Sequence, residues 1–417
     1  MKENELIYNW AKHPIGESKA VKHSANQHVD VDDETLRDGL QGTQVESHPT
    51  TEGKKIYLDW VSRFVEHADI GFPGSEEEHQ KEIEELIKYA VTRRLDITLS
   101  CAARGAALED VKPIIDISHN LDGYLLEADI FLDGSTYRSL KEGWDRKEKL
   151  DKLSENIKLL KQHKLPVMFV AERATSTSPE ELFEICQLAA DLGVERICLA
   201  DTQGCADPQA ITNIFRWGFS ELGKKYREII WDFHGHNDLN LGVANCLTAV
   251  QEGVNRIHAT KFCIGERAGN VDLATILLIL NLHGFRNIDL QRLQEFSRVA
   301  SDVLHIAIPK NAPVIGESAF ATSSGVHSAP LDKSEDEVSD IYFPYHPGLV
   351  GRKPKVEVGR FSGAATVRYK LKSLGIQPID GMVDEILHEA KNERGFISET
   401  TIRNIAQRYL NNQHQEK

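Results

Sequence analysis

"IIWDFHGH" fills residues 229–236: a short apolar run that closes on two histidines one residue apart. Strand side chains alternate between faces, so His234 and His236 point the same way. A short apolar run of this kind predicts a buried strand. Seven further segments share its character: HVDVDDET (28–35), ADIGF (68–72), DITLSC (96–101), GYLLEADI (123–130), PVMFVAE (166–172), RICLAD (196–201) and RIHATKFC (256–263).

Longer amphipathic runs separate them. Ser75 with Glu78 reads as a capping box ahead of Ile83, Leu86, Ile87 and Ala90, which share one helix face. Ser178-Pro179 and Asp207-Pro208 each supply an N-cap followed by proline at the first helical position. Eight β-then-α units over residues 29–311 predict an α/β protein built on a (β/α)8 TIM barrel. A doubly wound open sheet is the second choice, weakened because no GxGxxG follows a strand. Residues 1–28 form an extension, and residues 312–417 a smaller, mostly helical C-terminal region that begins loop-rich and ends in two helical runs.

With 64 Asp and Glu against 49 Lys and Arg, the net charge is -15, and no basic block is present to follow a phosphate backbone. Nucleic acid is not an expected partner. No stretch approaches the roughly 18 apolar residues of a membrane helix, and the N-terminus lacks a signal-peptide core. A cytoplasmic protein without membrane contact is expected. The six cysteines form no CxxC pair, so neither a disulfide framework nor a Cys-based zinc site is indicated.

Chemistry in such a barrel sits at the carboxyl ends of the strands. The polar residues assigned there are Arg37, Asp38, Arg104, Glu127, Glu172, Asp201, Thr202, His234 and His236, with Asn270 beyond strand eight. Asp38, at the end of strand one, and Asn270 approach the two histidines across the barrel mouth. Two imidazoles, a carboxylate and an amide oxygen suit a divalent ion such as Mn, Mg or Zn acting as a Lewis acid. The plainer alternatives are packed core histidines, an ion pair for Arg37 and a salt bridge for Glu172.

Seven motifs in order resemble the DRE-TIM metallolyases, and within them the 2-isopropylmalate, homocitrate and citramalate synthases. They are ETLRDGLQ (34–41), DIGFPGS (69–75), ADTQG (200–204), HGHND (234–238), GERAGN (265–270), SSGVH (323–327) and VGRFSG (358–363). The resemblance implies a Claisen condensation of an acyl-CoA, acetyl-CoA first, with a 2-oxo acid, releasing CoA and a 2-alkylmalate. It implies metal ligands at Asp38, His234, His236 and Asn270. Catalytic roles fall on Arg37, Glu172, His327 and Tyr342, and substrate-binding roles on Gln41, Arg104 and Thr202. His327 in family members comes from the partner subunit, so a homodimer is expected.

RDGLQ departs from the RDGEQ usual in the synthases and is similar to hydroxymethylglutaryl-CoA lyase, whose loop cysteine has a counterpart near Cys263. GERAGN, SSGVH and VGRFSG are of synthase form, and GFPGS with GERAGN favours the isopropylmalate branch. The sequence ends at Lys417 with no segment matching the family's C-terminal amino-acid regulatory domain, so leucine feedback through such a domain is not expected. A non-catalytic paralogue is disfavoured, because all these residues are retained.

Overall fold

The computed structural model of the chain describes residues 28–325 and 342–415. Eight parallel strands close on themselves in chain order: β1 (Asp30–Asp33), β2 (His67–Asp69), β3 (Thr98–Arg104), β4 (Glu127–Leu132), β5 (Val167–Ala171), β6 (Arg196–Asp201), β7 (Ile230–Gly235) and β8 (Arg256–Ala259). Closure pairs β1 with β8, Asp30 opposite Arg256 and Asp33 opposite Ala259. The TIM barrel is thus observed.

Each strand keeps a period of two. One parity is apolar and buried, as Ala128 and Ile130 on β4 or Trp231 and Phe233 on β7. On these two strands the other parity carries Glu127 and Asp129, and Asp232 and His234, and faces into the barrel, whereas β5 is apolar on both parities. Arg256 on β8 donates across the barrel to Glu127 on β4 at 2.8 Å, and to Asp232 on β7 at 2.7 Å. Arg196 on β6 donates to Asp232 at 3.0 Å. Barrel interiors are commonly packed with branched apolar side chains. Here the floor is a set of buried ion pairs, tolerable because each charge meets its opposite.

The helices start where the sequence caps them. Ser178 accepts from the Glu181 backbone N–H ahead of the helix Pro179–Asp191, and Asp207 accepts from that of Ala210 ahead of Pro208–Glu221. The Ser75 capping box is not formed. The Ser75 N–H donates to the Phe72 carbonyl at 3.1 Å, which spends the residue in the preceding turn, and the helix Glu77–Arg93 starts after Glu76 with no side-chain cap. Its apolar face is as read: Ile83, Leu86, Ile87 and Ala90 are buried.

The chain divides into two compact units, residues 1–288 with 298–307, and residues 289–297 with 308–417. Among the described residues beyond 312, the second holds a two-stranded sheet, Ala321–Thr322 with Lys355–Val356, and three helices, Ala364–Ser373, Asp380–Asn392 and Glu399–Gln415. That is one helix more than expected, because Gly375 at φ 73° breaks the first run. Val358, Leu371, Met382, Ile386 and Ile402 form this unit's own core.

Candidate active site at the barrel mouth

His234 and His236 leave β7 with their Nε2 atoms 3.1 Å apart. The Nε2 of His236 lies 3.9 Å from an Asp38 carboxylate oxygen, and the Asn270 amide donates to that same oxygen at 2.5 Å. Asp38 does not end β1 as expected: the strand stops at Asp33, and Asp38 precedes a 3-10 turn, Gly39–Gln41. Asn270 is brought in by the glycines of GERAGN. A Cβ on Gly269, at φ 85°, would sit 1.6 Å from the Cys263 carbonyl oxygen. A bridge between His236 and Asn270 then fixes the loop.

These side chains suit a divalent cation. Ligand atoms of Asp38, His234 and His236 lie within 4.8 Å of one another, all three residues buried. The Asn270 Oδ1 is buried with no hydrogen-bond partner, a free oxygen donor beside two imidazoles and a carboxylate. Glu34, His234 and His258 form a neighbouring group of similar spacing. Its carboxylate is already engaged: Glu34 takes hydrogen bonds from Arg37, from His258 at 2.5 Å and from His234 Nδ1 at 3.2 Å. Glu34 thereby orients His234 from behind, leaving Nε2 aimed at His236.

Arg37 is paired three ways, to Glu34, to Asp38 at 2.9 Å and to Asp69 at 2.6 Å. Burial alone would raise the Glu34 carboxyl, but Arg37, with His234 and His258, holds it well below the usual range. Burial, with His234 beside it, pushes His236 down to about 4. A neutral imidazole is the form that binds a metal.

A cavity of about 180 Å³ opens onto this cluster, lined among others by Arg37, Gln41, Asp129, Glu172 and Thr202. Thr202 accepts from the Arg173 backbone N–H at 2.9 Å, and its carbonyl takes a bond from Arg267, which also pairs with Asp238. A groove of about 790 Å³ lies alongside, lined by Arg104, Arg138, Trp144, Lys149, Lys152 and Lys158 among others. Phe131 and Glu172 line both spaces. Burial raises the Glu172 carboxyl above its ordinary value, and Arg138, 3.2 Å away, partly offsets the rise.

Arg104 ends β3 as expected but lines the groove rather than the cavity, held to Asp110 at 2.5 Å. Asp201 is spent on the loop after β6, accepting from Thr175 at 2.7 Å and from the backbone at Cys205 and Ala206. Glu127 is a correction: it begins β4 instead of ending it, and belongs to the ion-paired floor. Cys263 does not line the cavity, and burial pushes its thiol up to about 12. Tyr342 is in the second unit, its ring edge-on to Phe343. His327 lies outside the described residues. Glu34 and Asp129 both line the cavity and were not singled out from the sequence. Their signal was parity, an acid on the inward face of an otherwise apolar strand or just past its end.

The barrel and its mouth place the chain in a family. It matches the HMGL-like family over residues 28–300 and belongs to it. Within that family it is similar to the synthases. The 2-isopropylmalate synthase of Methanocaldococcus jannaschii is 33% identical over 379 residues, 90% of this chain and 67% of the relative. The homocitrate synthase of Pyrococcus horikoshii is 32% identical, covering 87% of this chain and 94% of the relative. A putative (R)-citramalate synthase of Methanopyrus kandleri is 29% identical, over 92% and 72%. Among solved structures, the HMG-CoA lyase of Brucella melitensis superposes with a TM-score of 0.55 at 16% identity, over 67% of this chain and 99% of that one. The carboxyl transferase domain of Rhizobium etli pyruvate carboxylase gives 0.51 at 13%, over 93% and 68%. At these identities the two structures bear on the fold alone. Among the described residues, no helix is long and apolar enough to cross a membrane.

Proposed function

We propose that this chain condenses an acyl-CoA, acetyl-CoA first, with a 2-oxo acid to give a 2-alkylmalate and free CoA. The observation that carries the reading is Glu172, a half-buried carboxyl standing where the small cavity meets the larger groove. The cavity is sized for a small oxo acid, and the groove's arginines, lysines and tryptophan suit a phosphorylated nucleotide tail.

Asp38, His234, His236 and Asn270 would hold a divalent ion such as Mn, Mg or Zn, which when bound polarises the keto group of the oxo acid. Thr202 and Gln41 orient the oxo acid's carboxylate, and Arg104 serves the groove. Arg37 puts a fixed positive charge beside the oxygen that gains negative charge. Its pairs with Asp38, Asp69 and Glu34 keep it in place. The acyl methyl group loses a proton, its carbon bonds to the keto carbon, and the keto oxygen takes up a proton to become the alcohol. Glu172, with His327 supplied by the second region, handles these protons; its raised pKa is the direction a general acid-base needs. Water then splits the thioester into carboxylate and CoA thiol, with Tyr342 ordering that step. In this reading the chain is a homodimer whose partner subunit delivers His327. Isopropylmalate, homocitrate and citramalate synthases all stand at similar identity, so the residues lining the cavity set the acceptor.

The test is thiol release from acetyl-CoA with Mn or Mg across a panel of 2-oxo acids, with and without chelator. Metal-dependent release that requires one class of oxo acid is expected. Cleavage of hydroxymethylglutaryl-CoA in place of condensation would replace this reading with the lyase.

A further inference from the structure

Asp129 sits in the middle of β4, opposite Ala102 on β3 and Met168 on β5. It is 3% exposed, and neither carboxyl oxygen has a hydrogen-bond partner, yet it lines the cavity that holds His234 and His236. The cavity wall around it is otherwise apolar: Ala102, Phe131, Met168 and Val170. A buried acid with both oxygens unmatched is costly, so its place in a ligand cavity points to a partner that arrives with the ligand.

The cavity, about 180 Å³, is small beside the neighbouring groove of about 790 Å³ and suits a short oxo acid. Asp38, the two histidines, Thr202 and Gln41 take the acceptor's polar head in the proposed reaction. Its side chain is then left with the Asp129 wall.

Burial, followed by the fields of Glu127, Asp69 and Asp32, raises the Asp129 carboxyl well above the usual range, which favours its protonated form. A neutral carboxyl both donates and accepts. A second carboxylate on the acceptor would enter the same negative field, whereas a branched aliphatic chain would leave the acid unmatched.

We infer that Asp129 is the residue that reads the acceptor's side chain, selecting a 2-oxo acid with an uncharged hydrogen-bonding group, a hydroxyl or carboxamide, over aliphatic and dicarboxylic acceptors. The inference rests on the condensation reading of the same cavity. It shifts the favoured acceptor away from the branched chain of the isopropylmalate branch.

The experiment compares wild type with Asp129→Asn, Asp129→Leu and Asp129→Ala. The acceptors are 4-hydroxy-2-oxobutanoate and its near-isostere 2-oxopentanoate, with 2-oxoisovalerate and 2-oxoglutarate alongside. Two readouts are taken: kcat/KM from thiol release, and acceptor binding to the Mn-loaded enzyme by titration calorimetry without acyl-CoA. Wild type should favour the hydroxylated acceptor over its isostere by roughly 10⁴-fold, as a site built around a substrate hydroxyl does. The Asn variant should keep that order, and the Leu and Ala variants should lose it. Either apolar variant suffices, Ala adding space where Leu adds bulk. An unchanged ratio in them, or 2-oxoisovalerate or 2-oxoglutarate leading in wild type, overturns the inference. No turnover with any acceptor would overturn the condensation reading, and the binding ratios would still decide the role of Asp129.

Discussion

Glu34 is the residue on which the barrel mouth turns, because one carboxylate holds Arg37, His234 and His258 together. It fixes which His234 nitrogen faces His236. Replacing it with Gln keeps the shape and removes the charge. Glu34→Gln should weaken Mn binding about 10–100-fold, the usual effect of losing a residue that orients a metal-binding histidine. Titration calorimetry reads this directly, and an affinity equal to wild type would show that Glu34 does not serve the site. Much of this cluster was legible in the sequence, since HxH on one strand face and the glycines of GERAGN are local signals. Glu34, just past the end of β1, is one of four acids in DVDDE, and Asp129 sits in the middle of β4, so neither stands out before the barrel closes. EADIFL places Asp129 on the same face as Glu127 and Phe131, and only closure of the barrel makes that face the wall of a cavity.

Between elements, the helices Thr51–Val61 and Glu77–Arg93 are fastened by Lys54 and Glu82, 2.6 Å apart, with His79 at 3.1 Å on the same carboxylate. Burial alone would raise Glu82, but bonds from His79, Lys54 and Thr51 outweigh it and hold it at about 2 against an ordinary 4.5. A depressed carboxyl stabilises the fold above its unfolded pKa and loses that contribution as pH falls through the folded value. Glu82 should therefore stabilise fully above pH 4.5 and lose its contribution between 4.5 and 2. Solvent screening trims the roughly 3 kcal/mol of such a shift to about 1–2 kcal/mol. Urea unfolding of wild type and Glu82→Gln across that range should show curves that converge on acidification, and a constant gap would refute the assignment. At this scale the sequence was informative about all eight strands, because each is short, is bounded by turns and alternates with a longer amphipathic run. It was less so about Ser75, whose hydrogen bond goes to a turn that no capping pattern reveals.

At the scale of the molecule, the barrel stands on a charged floor. Arg256 is fully buried and ties β8 to Asp232 on β7 and to Glu127 on β4, on the opposite side of the barrel. Removing one member of such a set leaves uncompensated buried charge. Arg256→Leu should cost about 3–5 kcal/mol of unfolding free energy in urea, and an unshifted midpoint would mean that the floor does not hold the barrel closed. In the proposed reaction the mouth above this floor joins an acyl-CoA to a 2-oxo acid. The measurement that tests it most directly is mass analysis of the product from methyl-13C acetyl-CoA and an unlabelled oxo acid, using metal-stripped enzyme with and without added Mn. A labelled 2-alkylmalate, one per CoA released, is expected only when metal and oxo acid are both present. CoA release that gives labelled acetate, or that proceeds without the oxo acid, would contradict it.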